Sequence, residues 1–270
     1  MVNHLRFTLG RNSRTWLIYA AALFVIQVAL AAVFQQAGTG LPGGLGMLIN
    51  LLPDAVRDFV GSRELDLLTA NGMLAVAYNH PLSKIVLSVF AVGLSASAIA
   101  GELERGTLDL VLARPLRRYK LLLGSGLAFL LACCIMGGIM LLGTLIGSQA
   151  GGIGDQVVWS NFYWLTLNAI ALMLAMSGLG YLFSALTQRG SHAIFWAGGL
   201  VAGMFFLYWF STLWDKVKPF AVLSLFYYYR PEQIINGAPD WWFNITVLLA
   251  VCAVTFGLAL FIFERRDLTR

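Results

Sequence analysis

Six long apolar segments dominate the pattern of hydrophobic and polar positions along the chain. Each holds about 20 mainly apolar residues, which is the length a helix needs to cross the hydrocarbon core of a bilayer. A lone strand cannot satisfy its backbone hydrogen bonds in lipid, so the segments are predicted to be helices. The pattern therefore predicts an all-α, polytopic membrane protein with spans at Thr15–Phe34, Pro81–Ala100, Leu121–Ile146, Tyr163–Leu186, Ala193–Trp214 and Trp241–Phe263.

The basic residues between these spans predict their orientation. An even number of spans places both termini on one side, and that side holds twelve Lys and Arg residues against six on the other. Because basic residues concentrate in cytoplasmic loops, both termini and the loop 101–120 are predicted to be cytoplasmic. An aromatic belt is predicted near the outer interface, formed by Trp159, Tyr163, Trp164, Trp214, Trp241 and Trp242.

The overall composition excludes an ordinary soluble domain. Of the 270 residues, 59% are hydrophobic and 11% are charged, whereas soluble domains carry about 25% charged residues. The net charge of +5 is explained by basic residues beside the spans, so no nucleic-acid partner is expected. Cys133, Cys134 and Cys252 lie inside apolar runs without metal-site spacing, and we interpret them as packing residues.

The longest connection, residues 35–80, is predicted to be an outer loop with a short amphipathic helix on the membrane surface. Pro53 interrupts this helix. Its apolar positions recur at helical spacing, and they are Leu48, Leu51, Leu52, Val56 and Val60.

The spans contain almost no group that could drive transport. No Asp or Glu lies in any of the six, and Lys84 sits at the edge of the second. Ion-coupled transporters usually carry intramembrane ionisable groups, so their coupling mechanism is disfavoured. The chain also lacks the G-x-x-x-x-G-K-[ST] phosphate loop, and we therefore expect any ATPase to be a separate subunit.

A membrane-embedded enzyme is the alternative. Gly93-Leu94-Ser95 and His192 match in residue type the Ser and His of rhomboid-type intramembrane proteases. Ser95, however, is followed by further small residues, which is typical of helix packing. Both residues also fall toward the predicted cytoplasmic half, away from the outer-facing site of such proteases. We favour the packing interpretation and predict no catalytic and no metal site in this chain.

Two pairs of glycines at four-residue spacing permit close helix contacts. They are Gly143 with Gly147 and Gly199 with Gly203. Packing inside the bundle and a contact between subunits both fit this spacing, and packing inside the bundle is favoured.

The loop 101–120 carries the densest charge in the chain. Thr107 can cap a short helix with Asp109 in its first turn, and Pro115 marks the end of that helix. Leu108, Val111 and Leu112 form one apolar face. The segment is thus predicted to be a short amphipathic helix outside the bilayer, between the second and third spans. A lipid-contacting loop would explain the basic residues after Pro115, which are Arg117, Arg118 and Lys120. It would not explain the apolar face together with the carboxylates of Glu102 and Glu104.

This segment resembles the corresponding loop of type-2 ABC (ATP-binding-cassette) exporter permeases. In that family an acidic-x-acidic-Arg-Gly-Thr-Leu run, followed by a Pro and a basic pair, forms a coupling helix that docks into a groove of the ATPase subunit. Residues 223–229 and 263–268 also resemble the family's outer segment and C-terminal end, so the resemblance covers essentially the whole chain. The matching loop positions are Glu102, Glu104, Arg105, Gly106, Thr107, Leu108, Leu112, Pro115 and Arg118.

The resemblance implies one permease domain, residues 1–270, in a prokaryotic plasma or inner membrane. It implies two copies of a cytoplasmic ATPase, which would bind ATP and Mg, and a second permease half of the same or a similar kind. No cofactor is expected in this chain itself. The implied cargo is amphipathic, either a lipid, an antibiotic or a peptide. The branch it resembles also includes the permease for nitrous-oxide-reductase maturation.

Overall fold

The computed structural model describes residues 13–40, 69–106 and 118–266, with positions 53, 56, 57, 65 and 66 between them. Within these ranges the chain is helical and forms no strand, which confirms the all-α class. The helices are α1 (Ser13–Gly40), α2 (Ala70–Asn79), α3 (Pro81–Ala96), α4 (Ala100–Glu104), α5 (Arg118–Ala150), α6 (Trp159–Leu186), α7 (Gly190–Leu213), α8 (Pro231–Ile235) and α9 (Trp241–Arg265).

Five of the described helices are long and apolar enough to cross a membrane, namely α1, α5, α6, α7 and α9. They coincide with five of the six predicted spans and extend most of them by a few residues. The second predicted span, Pro81–Ala100, differs, because α3 ends at Ala96 and a turn leads into α4. At 1.5 Å per residue α3 is about 24 Å long, shorter than the roughly 30 Å hydrocarbon core. Among the described residues, a sixth crossing is present only if α2 and α3, bent by 43°, are counted as one span.

The bend between α2 and α3 follows from Pro81. The residue before a proline avoids the helical region, and His80 is extended with φ −62° and ψ 139°. Pro81 has no N–H for the carbonyl of Ala77, and the Ser83 hydroxyl donates to that carbonyl instead. The N–H of Leu82 is taken by His80 Nδ1 at 3.2 Å, so the carbonyl of Tyr78 also needs a partner from elsewhere.

Helix α6 forms the centre of the bundle and packs against α3, α5, α7 and α9. In its apolar stretch 72% of residues are buried, against 17% for α1, α7 and α9. A row of aromatic rings crosses this core from α3 to α9. Phe90 stacks on Phe129 at 5.6 Å, Phe129 meets Tyr181 at 6.4 Å, and Tyr181 meets Phe256 at 5.1 Å between centroids.

The two glycine pairs have different roles. Gly143 and Gly147 face α1, where an added Cβ would lie 2.8 Å from Gln27 Cβ and 2.7 Å from Ala31 Cβ respectively. Packing inside the bundle is therefore confirmed for this pair. Gly199 and Gly203 lie on an exposed face of α7, and no atom of the described residues lies within 4 Å of their missing Cβ atoms. Within the described part of the chain, the same interpretation is therefore wrong for this pair.

The cysteines and the interfacial aromatics also have defined places. Cys133 is buried, Cys252 is half-buried and Cys134 is exposed, and all three are free thiols. The predicted aromatic belt lies at one end of the helices, at the starts of α6 and α9 and just after α7. There the rings of Trp164 and Trp241 are 4.7 Å apart.

Candidate functional site

A groove lies between α3 and α7. It encloses a cavity of about 340 Å³, and its walls are almost entirely apolar. Helix α3 contributes Lys84, Ile85, Ser88, Val89, Val92 and Gly93. The opposite wall, from α7 and the segment after it, consists of Ile194, Gly198, Val201, Ala202, Phe205, Phe206 and Phe226. An elongated, mostly apolar molecule is the ligand that such a surface can hold.

Lys84 stands at one end of this groove. Among the lining residues, all of which the structure describes, it is the only ionisable one. Its side chain is 6% exposed. The ammonium lies 5.7 Å from the ring centroid of Tyr208 and 5.8 Å from that of Tyr229. The carboxylate of Glu232 on α8, also 6% exposed, interacts with Lys84 through its charge.

The segment between α7 and α9 closes this end of the bundle. Tyr229 is fully buried and donates its hydroxyl to the carbonyl of Tyr78, at 3.0 Å, which satisfies the group freed by the bend at Pro81. Burial raises the pKa of Tyr229 well above its ordinary value, so the hydroxyl stays protonated and can donate. The Ser224 hydroxyl ties the same segment to α7 by donating to the Met204 carbonyl at 2.7 Å.

At the opposite end of the bundle lies the beginning of the loop 101–120, which carries the predicted coupling segment. Here the Ser184 hydroxyl accepts hydrogen bonds from the N–H groups of Ile99 and Ala100, each at 3.0 Å. Arg266 donates to the carbonyls of Ala185 and Thr187, at 2.7 and 2.9 Å. The Ser184 contacts join the start of α4 to the C-terminal part of α6. Arg266 joins the end of α9 to the C-terminus of α6, where a cation is favoured by the helix dipole.

The loop's charged residues contact the bundle and each other. Glu102 and Arg105 form an ion pair at 3.1 Å, and Gly106 ends the turn with φ +67°. Glu104 reaches across to α7, where its Oε2 accepts a hydrogen bond from the N–H of Gly190 at 2.9 Å. Gly190 is the first residue of α7, whose N-cap residue Arg189 provides no side-chain cap. Glu104 therefore supplies the acceptor and the negative charge that a helix N-terminus favours.

The rest of the predicted coupling segment lies outside the described residues. This applies to the helix predicted at Thr107–Arg114, with Thr107, Leu108, Val111 and Leu112, and to Pro115. Arg118 is described only as the first residue of α5. Of the surface helix predicted around 48–60, only positions 53, 56 and 57 are described.

The residues of the enzyme alternative show no catalytic arrangement. Ser95 is fully buried and donates its hydroxyl to the carbonyl of Ala91 at 2.6 Å. It packs against Gly180, where a Cβ would collide with its hydroxyl oxygen. His192 is exposed near the start of α7. These contacts agree with the packing interpretation of Ser95.

Glu232 and the aromatic partners of Lys84 were not predicted from the sequence. From the sequence, Lys84 was predicted only to lie at the edge of the second span. In the structure its ammonium lies within 6 Å of the ring centroids of Tyr208 and Tyr229. The signal that was present is the aromatic run at 226–229, which supplies Tyr229, but nothing in its spacing indicates a lysine 145 positions earlier.

A family model described as ABC-2 family transporter protein matches residues 9–268. No curated protein matches the chain at a significant level.

Proposed function

The chain belongs to the ABC-2 family of transporter proteins and is a membrane subunit of an ABC transporter, and from this premise we propose that the complex exports an amphipathic cargo. The cargo classes that fit are a lipid, an antibiotic or a peptide with a long apolar part. The observation that carries this proposal is the groove between α3 and α7, which is apolar along its length and has one cation at its end. That groove favours an amphiphile over the nitrous-oxide-reductase maturation role of one family branch.

The energy for transport comes, in this proposal, from a separate cytoplasmic ATPase. Permeases of this family normally work with such a subunit, and the chain has no phosphate loop of its own. ATP and Mg would be bound there, in two copies of the ATPase. The docking site on this chain would be the segment Thr107–Arg114, with its apolar Leu108, Val111 and Leu112.

The loop around Glu104 can transmit motion to both groove walls. It continues directly from α3 through the turn at 97–99, and the Glu104 carboxylate holds the first residue of α7. A displacement of the loop by the ATPase would therefore move α3 and α7 together at one end. Toward the other end of the groove, Tyr229 is hydrogen-bonded to Tyr78 of α2, just before α3, and Ser224 is hydrogen-bonded to Met204 of α7. The groove would therefore change shape along its length.

A second permease half would complete the translocation path. The exposed face of α7 offers Gly199 and Gly203, which have open space at their missing Cβ atoms. Small residues at this spacing let helices from two subunits approach closely in a membrane. We propose that two halves pair in the plasma or inner membrane of a prokaryotic cell, with both termini in the cytoplasm.

The groove assignment can be tested by filling it. A tryptophan at Gly198 would project into open space within the groove, and Gly257→Trp places the same side chain in equally open space on the exposed face of α9. The complex with its co-purified ATPase would be reconstituted in vesicles, and ATP-dependent export of a panel of fluorescent amphiphiles measured. We expect Gly198→Trp to abolish export and Gly257→Trp to preserve it, with both variants still binding the ATPase. Normal export by Gly198→Trp would overturn the proposal.

A further inference from the structure

Lys84 is placed where a lysine is unfavourable for the fold alone. It is the fourth residue of α3, and the partial positive charge at a helix N-terminus disfavours a cation there. The side chain is buried and borders an apolar groove. Ionisable residues inside membrane segments are rare, and they commonly mark the path of a substrate. The position of Lys84 thus indicates a role in binding the transported substrate.

Three groups hold the Lys84 ammonium at the end of the groove. The rings of Tyr208 and Tyr229 lie within 6 Å, the distance at which an aromatic ring attracts a cation. Glu232 adds the attraction of a carboxylate from α8. These groups stabilise the positive charge, while the aliphatic stem of the lysine continues the groove wall.

The groove beyond Lys84 is matched to an apolar tail. From Lys84 to Gly93 the wall runs for roughly 14 Å along α3 at 1.5 Å per residue. The one hydroxyl on this stretch, that of Ser88, donates to the Lys84 carbonyl at 2.6 Å and so presents little polarity to the groove. The groove therefore combines one charged end with a long apolar wall.

We infer that Lys84 binds the anionic head of the cargo and that the α3–α7 groove holds its tail, an inference that rests on the proposed function. The head would be a carboxylate, sulfate or phosphate, which forms strong charge-assisted hydrogen bonds with an ammonium. On binding, this head takes the place of Glu232 as the counter-ion of Lys84. The cargo is thus an anionic amphiphile, and Lys84 is the residue that selects it.

A role of Lys84 in cargo binding and a purely structural role predict different effects of substitution on cargo binding. If Lys84 and Glu232 merely tie α3 to α8, neutralising either residue weakens the fold and lowers binding of every cargo alike. If Lys84 selects the anionic head, Lys84→Gln removes the preference for anions, while Glu232→Gln removes a competing counter-ion and strengthens anion binding.

The test uses the complex in phosphatidylcholine nanodiscs and two radiolabelled probes of equal chain length, hexadecyl phosphate and hexadecanol. Binding to empty nanodiscs is subtracted. We expect the wild type to prefer the phosphate by about tenfold, equal to roughly 1.4 kcal/mol. Lys84→Gln should lose this preference, Lys84→Arg should keep it and Glu232→Gln should increase it. Inorganic phosphate alone should not compete, because it has no tail for the groove.

Each remaining outcome bears on one claim. An unchanged preference in Lys84→Gln, or an equal loss of both probes, overturns recognition by Lys84. Competition by inorganic phosphate at the same concentration overturns the amphiphile as ligand. Gly198→Trp separates this inference from the proposed function. If that variant still binds both probes, the α3–α7 groove is not the cargo-binding site and the proposed function fails. If Gly198→Trp blocks both probes while Lys84→Gln behaves as wild type, only the role of Lys84 fails.

Discussion

The carboxylate of Glu104 and the backbone N–H of Gly190 form a hydrogen bond of 2.9 Å. The two residues are 86 positions apart, and the bond joins the loop after α3 to the start of α7. Gly190 also lies against Gly101, where an added Cβ would come within 3.2 Å of the Gly101 Cα. Both walls of the groove are therefore attached to one short stretch of chain at this end.

The first prediction concerns this bond. Glu104→Ala removes the acceptor at the N-terminus of α7, and losing such a cap costs about 0.5–2 kcal/mol in helix stability. Since Glu104 is exposed, we expect the low end of that range and a chain that still inserts and binds its ATPase. Export per ATP hydrolysed should fall, because α7 no longer follows the loop. The ratio of exported probe to hydrolysed ATP in reconstituted vesicles measures this.

A matched control is Glu264→Ala, which removes another exposed carboxylate near the end of α9. It should leave the export ratio unchanged. An unchanged ratio in Glu104→Ala would show that α7 moves independently of the loop.

The positions of the long helices could be predicted from the sequence because the bilayer imposes length and apolarity on each of them. The short helix α2 could not be predicted in this way. Ala70–Asn79 includes Asn71, Gly72 and Asn79, which made it resemble a loop. Most of the helix is buried among other helices, so it does not need the uniform apolarity of a lipid-facing segment.

The contacts of the candidate site could be predicted only in part. The motif at 101–106 identified Glu102, Glu104 and Arg105, since their spacing resembles a known loop. The partner of Glu104 and the burial of Lys84 depend on residues 86 and more positions distant. A single sequence carries no periodic signal for such pairs, because they arise from how α3, α7 and α8 are placed relative to one another.

The second prediction concerns the bend at Pro81. Tyr229→Phe removes the hydroxyl that donates to the Tyr78 carbonyl and leaves this buried acceptor without that partner. Losing one partner of a buried hydrogen bond costs about 1–3 kcal/mol. We expect a lower midpoint of thermal unfolding for the purified chain in detergent. Tyr227→Phe is the control, because the ring of Tyr227 packs on Arg230 at 4.3 Å and this packing is kept. Equal midpoints for the two variants would contradict the role given to Tyr229.

The third prediction concerns orientation, which follows from twelve basic residues on one side against six on the other. Single cysteines would replace Asp58 and Arg117 in a background without the three native cysteines. An impermeant thiol reagent should label position 58 in intact cells and position 117 only after the membrane is permeabilised. Labelling of position 117 from outside intact cells would invert the topology and remove the basis for a cytoplasmic coupling loop.

The last prediction separates ATPase docking from lipid contact in the segment Thr107–Arg114. If its apolar face docks on the ATPase, truncating Leu108 and Leu112 to Ala removes apolar area from the contact, at roughly 25 cal/mol per Å². Co-purification of the ATPase or stimulated ATP hydrolysis should then fall, with membrane insertion intact, and Glu102→Gln should weaken the assembly further at low salt.

A segment that only touches anionic lipid gives the opposite pattern, because neutralising Arg117 and Arg118 would then be the damaging change. Assembly and hydrolysis measured side by side for the Leu, Glu and Arg variants distinguish the two. Normal behaviour of the Leu and Glu variants together with failure of the Arg variants would exclude docking through this segment.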